Sequence, residues 1–174
     1  MNPTIDCLLT RRSVRKYLAK PVEMDKLDQI LECGRYAATA KGLQGVHLVL
    51  VEDKALIARM SKMNAEVWGR DIDPFYGAPC VIVVLADPEA CKCPVEDGSL
   101  ALGNMMLAAH ALGLGSCWIN RAYEVFETEE GKAMLREMGL KDTLRGVGNL
   151  IVGYADGALP EPKPRRDGLI TKIL

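Results

Sequence analysis

Arg11, Arg12 and Arg15 flank Ser13 near the start of the chain, and Lys163, Arg165 and Arg166 follow about 150 positions later. A guanidinium presents parallel N–H donors that match a phosphate, and a serine hydroxyl adds a short hydrogen bond. Either cluster alone is ordinary solvated surface, with long side chains lying over apolar ground. Together they stand out in a chain of net charge −1 and pI near 6.1. Two gathered cation sites in a neutral chain point to one small dianion, a phosphorylated small molecule. The same balance argues against a polyanion, so neither nucleic acid nor an anionic membrane is expected as a partner.

Other reactive side chains carry less. Of six cysteines, Cys80 and Cys117 sit in apolar runs, where a thiol acts as a small hydrophobe, and Cys7 and Cys33 fall in helical patterns. Cys91-Lys92-Cys93 has the spacing of a metal or redox pair. No second pair and no neighbouring histidine completes a metal site, so no metal is expected and both are read as reduced thiols in a surface loop. His47 opens a strand and His110 lies in an apolar helix; both read as structural. Gly113-Leu114-Gly115 begins like a dinucleotide fingerprint but follows a helix and precedes a strand, the reverse of the required order.

The elements that must position these groups fit a single domain over 1–174. Hydrophobic residues make up 49% and charged residues 26%, the balance of a folded protein. No apolar run reaches the roughly 18 residues of a membrane span. Residues 1–15 lack an export core, so a cytoplasmic location is expected. Periodicity predicts helices over 3–10, 23–38, 54–66, 99–112 and 129–138, and strands over 47–51, 80–85, 116–119 and 147–154. Leu27, Ile30, Leu31 and Tyr36 form the stripe of the second helix, and Asp53 caps the third. Residues 67–79 are irregular and carry Trp68, Phe75 and Tyr76; residues 89–96 read as a loop. Helix 99–112 is apolar on nearly every face and so needs cover on nearly every face, which implies a second chain. Pro160, Pro162 and Pro164 favour an extended arm over 159–174 that could cross to that neighbour.

Several segments, in order, resemble the FMN-dependent nitroreductase family. Arg11-Arg12-Ser13-Val14-Arg15-Lys16-Tyr17 is similar to its RRSxRxF opening. Residues 37–47 stand where the family has APSxxNxQPWH, and Ala78-Pro79 leads into its central strand. The run Asp97-Gly98-Ser99 through Asn104-Met105 to Gly113-Leu114-Gly115-Ser116-Cys117-Trp118-Ile119 is the strongest match, and Gly153-Tyr154 followed by Lys163-Pro164-Arg165-Arg166 resembles the closing segment. The resemblance implies an α+β fold, a central mixed, largely antiparallel sheet flanked by helices in three layers. It also implies an intertwined homodimer with two FMN sites between subunits.

By this resemblance Arg11 and Ser13 hold the FMN phosphate, with Arg12 adding backbone or side chain. Arg15 lies by the ribityl chain or pyrimidine edge, where a cation favours the reduced flavin. Lys163, Arg165 and Arg166 close over the phosphate. Gln44 stands beside the flavin ring, although Gly42 replaces the family asparagine and Gly45-Val46 its Pro-Trp. Asn120 and Arg121 fall where a backbone N–H faces flavin N5. The implied activity moves hydride from NADH or NADPH through N5 to a nitroaromatic, quinone or similar acceptor in a ping-pong cycle, with no catalytic side chain. Alternatives are reductive dehalogenation or flavin reduction on the same fold, or a non-catalytic FMN-binding redox module in which Cys91 and Cys93 sense oxidation.

Overall fold

Four apolar runs pair into one sheet in a computed structural model that describes residues 2–174. They are β1 (Val46–Val51), β2 (Cys80–Ala86), β3 (Gly115–Ile119) and β4 (Arg145–Gly153). Their order is β1-β2-β4-β3, and every neighbouring pair is antiparallel. The expected largely antiparallel sheet is therefore present; among the described residues an isolated parallel bridge joins Ser13, outside the four strands, to Ser116. All seven residues of β2 are buried, which is why that run shows no polar alternation.

Six α-helices lie among the described residues: α1 (Pro3–Thr10), α2 (Met24–Arg35), α3 (Lys54–Trp68), α4 (Pro94–Ala111), α5 (Ala122–Glu127) and α6 (Glu129–Glu137). Of these α1, with no buried residue, packs on α4, and the other five flank the sheet. Successive strand residues point to opposite faces, so the core divides in two. Val81, Val83, Leu85 and Ile151 pack with Met60, Met63, Phe126, Met134 and Leu135 from α3, α5 and α6. Ile82, Val84, Leu150 and Val152 pack with Leu27, Ile30, Leu102, Met105 and Ala109 from α2 and α4. The result is the expected three-layer α+β arrangement.

The segment from Ser13 to Leu18 straps the end of the sheet where β3 begins and β4 ends. Val14 N–H donates to Ser116 O at 3.0 Å, and Leu18 N–H donates to Tyr154 O at 2.9 Å. Tyr17 Oη donates to Val14 O at 2.8 Å, and burial pushes the phenol pKa far above its ordinary value.

Some boundaries differ from the sequence reading. The second helix stops at Arg35 rather than 38, and Tyr36 is 81% exposed, outside the buried stripe. The chain turns there because no core lies beyond Gly34 to hold a further turn. The loop expected over 89–96 ends at Cys93, because Pro94 has the fixed φ that suits a first helical position. Cys91 is not a surface thiol: it is 5% exposed. The short helix α5 lay unseen between a strand and a stronger helical pattern. Among the described residues, no helix is long and apolar enough to cross a membrane.

Candidate functional site

The basic opening segment sits where α1 leaves α4 and the chain meets β3. Cys7 Sγ donates to Leu107 O at 3.4 Å, and Thr10 Oγ1 lies 2.9 Å from His110 Nε2, so α1 is pinned to α4. Arg11 then caps α1, its N–H on Cys7 O. Arg11 Nη1 is buried and has no partner among the described residues. A buried cationic donor without an acceptor is costly. A phosphate oxygen is an acceptor of the right charge, so these residues fit the FMN phosphate. Ser13 is bridged to Ser116 beside it, half-buried, and Arg15 is exposed. Arg12 behaves differently: its Nη1 donates to Leu9 O and Arg11 O, both at 2.8 Å. That guanidinium closes the end of α1, which leaves the Arg12 backbone as its contribution to a ligand.

Asn120 and Arg121 lie at the far end of β3. Arg121 has φ +72°, a left-handed conformation uncommon without glycine. Asn64, on α3, grips this turn from behind. Asn64 Nδ2 donates to Asn120 O at 2.8 Å, and Arg121 Nε donates to Asn64 Oδ1 at 3.0 Å. The Arg121 guanidinium also lies 4.2 Å from the centre of the Trp68 ring, with Arg70 at 4.9 Å. Neither Asn64 nor Trp68 stood out as a site residue in the sequence. The available signal was an asparagine at a stripe position, four residues after Met60 and four before Trp68.

The third component is the loop between α2 and β1. Lys41, Gly42 and Gln44 all have positive φ. Thr39 Oγ1 accepts the Gln44 N–H at 3.1 Å, and Asp97 Oδ1 accepts the Ala40 N–H at 2.9 Å. Asp97 is 2% exposed, and its Oδ2 has no partner among the described residues. It lines a small cavity of about 90 Å³ together with Thr39 and Gln44. Gly45 accounts for one departure from the family pattern. A Cβ there would lie 2.7 Å from Cys91 Sγ and 2.9 Å from Ala90 Cβ, so only glycine lets the loop close on the turn before α4. Burial, then the Asp97 charge, push the Cys91 thiol above its ordinary pKa, away from the reactive thiolate.

The structure thus brings Arg11 and Ser13 to one end of β3 and Asn120 and Arg121 to the other, about 13 Å of strand apart. Gln44 lies on a separate, exposed loop. Lys163, Arg165 and Arg166 lie on the segment 157–174, exposed throughout, and no hydrogen bond or ion pair among the described residues joins them to Arg11, Arg12 or Ser13.

Comparison with known proteins gives the same assignment over nearly the whole chain. The model of the nitroreductase family matches residues 8–74 and 68–154. A protein of Archaeoglobus fulgidus named for NADH dehydrogenase and NAD(P)H nitroreductase activity is 32% identical over 171 residues, 96% of this chain and 90% of its own. The NADPH-flavin oxidoreductase of Vibrio harveyi is 28% identical, over 95% of this chain and 70% of its own. The crystal structure of a Bacteroides fragilis nitroreductase with bound FMN superposes with a TM-score of 0.91 at 27% identity, over 99% of this chain and all of that one. With the family model matching most of its length and a relative 32% identical over 96% of it, the chain belongs to the nitroreductase family.

Proposed function

We propose that the chain works as a homodimeric FMN-dependent oxidoreductase. It takes electrons from NADH or NADPH and passes them to nitroaromatic, quinone or similar small-molecule acceptors in a ping-pong cycle. Bound FMN would supply the hydride-transfer chemistry between the nicotinamide and the acceptor. The observation that carries this reading is the unpartnered Arg11 Nη1 beside Ser13, a built anion site in a protein with little net charge. The flavin-bound Bacteroides fragilis relative and the oxidoreductase names of the curated relatives support it.

The chain's own residues have distinct tasks. Arg11 and Ser13 grip the phosphate, with the Arg12 backbone, and Arg15 faces the ribityl chain or pyrimidine edge. The Asn120–Arg121 turn offers a backbone donor to flavin N5. Gln44 borders the ring from the loop that Asp97 fixes.

Surface this chain leaves uncovered supports dimerisation. Ile5, Leu8 and Leu9 of α1 and Val95 and Leu100 of α4 are all more than 40% exposed. In the arm, Ile170 is 81% and Ile173 96% exposed. Exposed apolar side chains on α1, α4 and the arm suit burial against a second subunit. We assign the arm 159–174 to the partner subunit, where Lys163, Arg165 and Arg166 close over the phosphate. The six free cysteines suit the reducing cytoplasm. The buried, raised Cys91 argues against the redox-sensing module.

The test is direct. Purified protein should show a flavin spectrum, sediment as a dimer, and oxidise NADH or NADPH with nitrofurazone or menadione. A colourless protein that takes up no FMN, or one that sediments only as single chains, refutes the reading.

A further inference from the structure

Asn64 is 1% exposed and both ends of its amide are in use. Rotating the amide by a half-turn would lose both bonds, so it has one setting. The turn it holds includes Arg121 at φ +72°, a conformation that persists where surroundings over-determine it. Trp68, one helical turn further along α3, holds the Arg121 guanidinium from a second side.

The peptide joining Asn120 to Arg121 is trans, as are all the described peptides. In a trans peptide the C=O and N–H point in opposite directions. Fixing Asn120 O toward α3 therefore turns the Arg121 N–H away from α3. No described residue accepts that N–H. We infer that Asn64 is a positioning residue: it aims the Arg121 N–H at the flavin N5 position and so sets the redox potential of the bound cofactor. The inference rests on the FMN reading above. A donor fixed before electrons arrive needs no reorganisation, which is the advantage of orienting it through a buried amide.

Two variants test it. Asn64→Asp keeps the acceptor for Arg121 but sets an acceptor against the Asn120 carbonyl. Asn64→Ala removes both bonds and retains a strong helix former. Each is loaded with FMN and compared with wild type for FMN dissociation constant, flavin midpoint potential, kcat and KM. The Arg121 amide proton shift on FMN addition is followed by NMR. The FMN dissociation constant should change by less than about threefold, since the phosphate grip lies a strand length away. The midpoint potential should move, and kcat for nicotinamide oxidation should fall about tenfold or more with KM little changed. The Arg121 shift seen in wild type should shrink or vanish. If either variant folds, binds FMN and keeps both the wild-type potential and the Arg121 shift, the inference is overturned; should one variant fail to fold, the other decides. Wild-type protein that takes no FMN refutes the FMN reading, and the inference with it.

Discussion

Asp97 in the first turn of α4 and Ala40 in the loop after α2 are joined by a 2.9 Å hydrogen bond across 57 positions of sequence. This bond anchors the loop that carries Gln44. Asp97→Ala leaves the Ala40 N–H without its charged acceptor and should destabilise the fold by about 1.5–3 kcal/mol, read by denaturant unfolding. Hydrogen exchange should quicken across residues 39–45 and stay unchanged in β2. Equal quickening throughout would show that Asp97 does not act on the loop specifically.

Gly45 and Cys91 should be coupled. Gly45→Ala overpacks the contact and should cost about 1–3 kcal/mol in thermal or chemical unfolding. Cys91→Ala removes the 2.7 Å neighbour while Ala90 remains at 2.9 Å, so the double variant should recover part of the loss. A coupling above about 0.5 kcal/mol in the double-mutant cycle is expected, and strict additivity would contradict the contact.

The phosphate grip separates neighbouring arginines. Arg11→Ala and Arg165→Ala should each weaken FMN binding by about 1.5–3 kcal/mol, read by fluorescence titration of the apoprotein. Arg12→Ala should instead loosen the end of α1, because its Nη1 serves Leu9 and Arg11 carbonyls. An FMN loss as large for Arg12→Ala as for Arg11→Ala would reverse the assignment.

Glu23 supplies a pH signature of its own. The Tyr154 hydroxyl donates to its carboxylate at 2.6 Å, and this bond, helped by the Glu23 N–H and the charges of Lys26 and Lys20, lowers its pKa from 4.5 to about 2. A carboxyl lowered in the folded state contributes stability above its unfolded value, and loses that contribution as pH falls toward 2. Melting temperature should therefore drop between pH 4.5 and about 2 in wild type more than in Glu23→Gln. Parallel curves for the two proteins would show that this carboxyl does not matter to folding.

Much of this was legible in the chain itself. The β2 run is apolar at every position and could only be a strand covered on both faces. Asp53 accepts the Leu56 N–H at 2.7 Å, as expected of a residue whose short carboxylate favours a helix start. Less legible were features that depend on distant neighbours. Tyr36 fits the helical period, but periodicity does not say where the core ends. Cys91 looked like a loop thiol, because nothing local reveals that Gly45 lets another loop close over it. Asn64 did not stand out at all, because its partners lie 56 and 57 positions away.

The sequence by itself determined five of the six described α-helices, the four strands and the basic segments with their family pattern, since period, capping and charge are properties of short stretches. Only the tertiary structure decided which donors remain free. Arg11 and Arg12 are adjacent and chemically alike, yet one guanidinium nitrogen is buried without a partner while the other is consumed by helix-end carbonyls. That difference depends on where the folded chain places each guanidinium, which no property of the short stretch records.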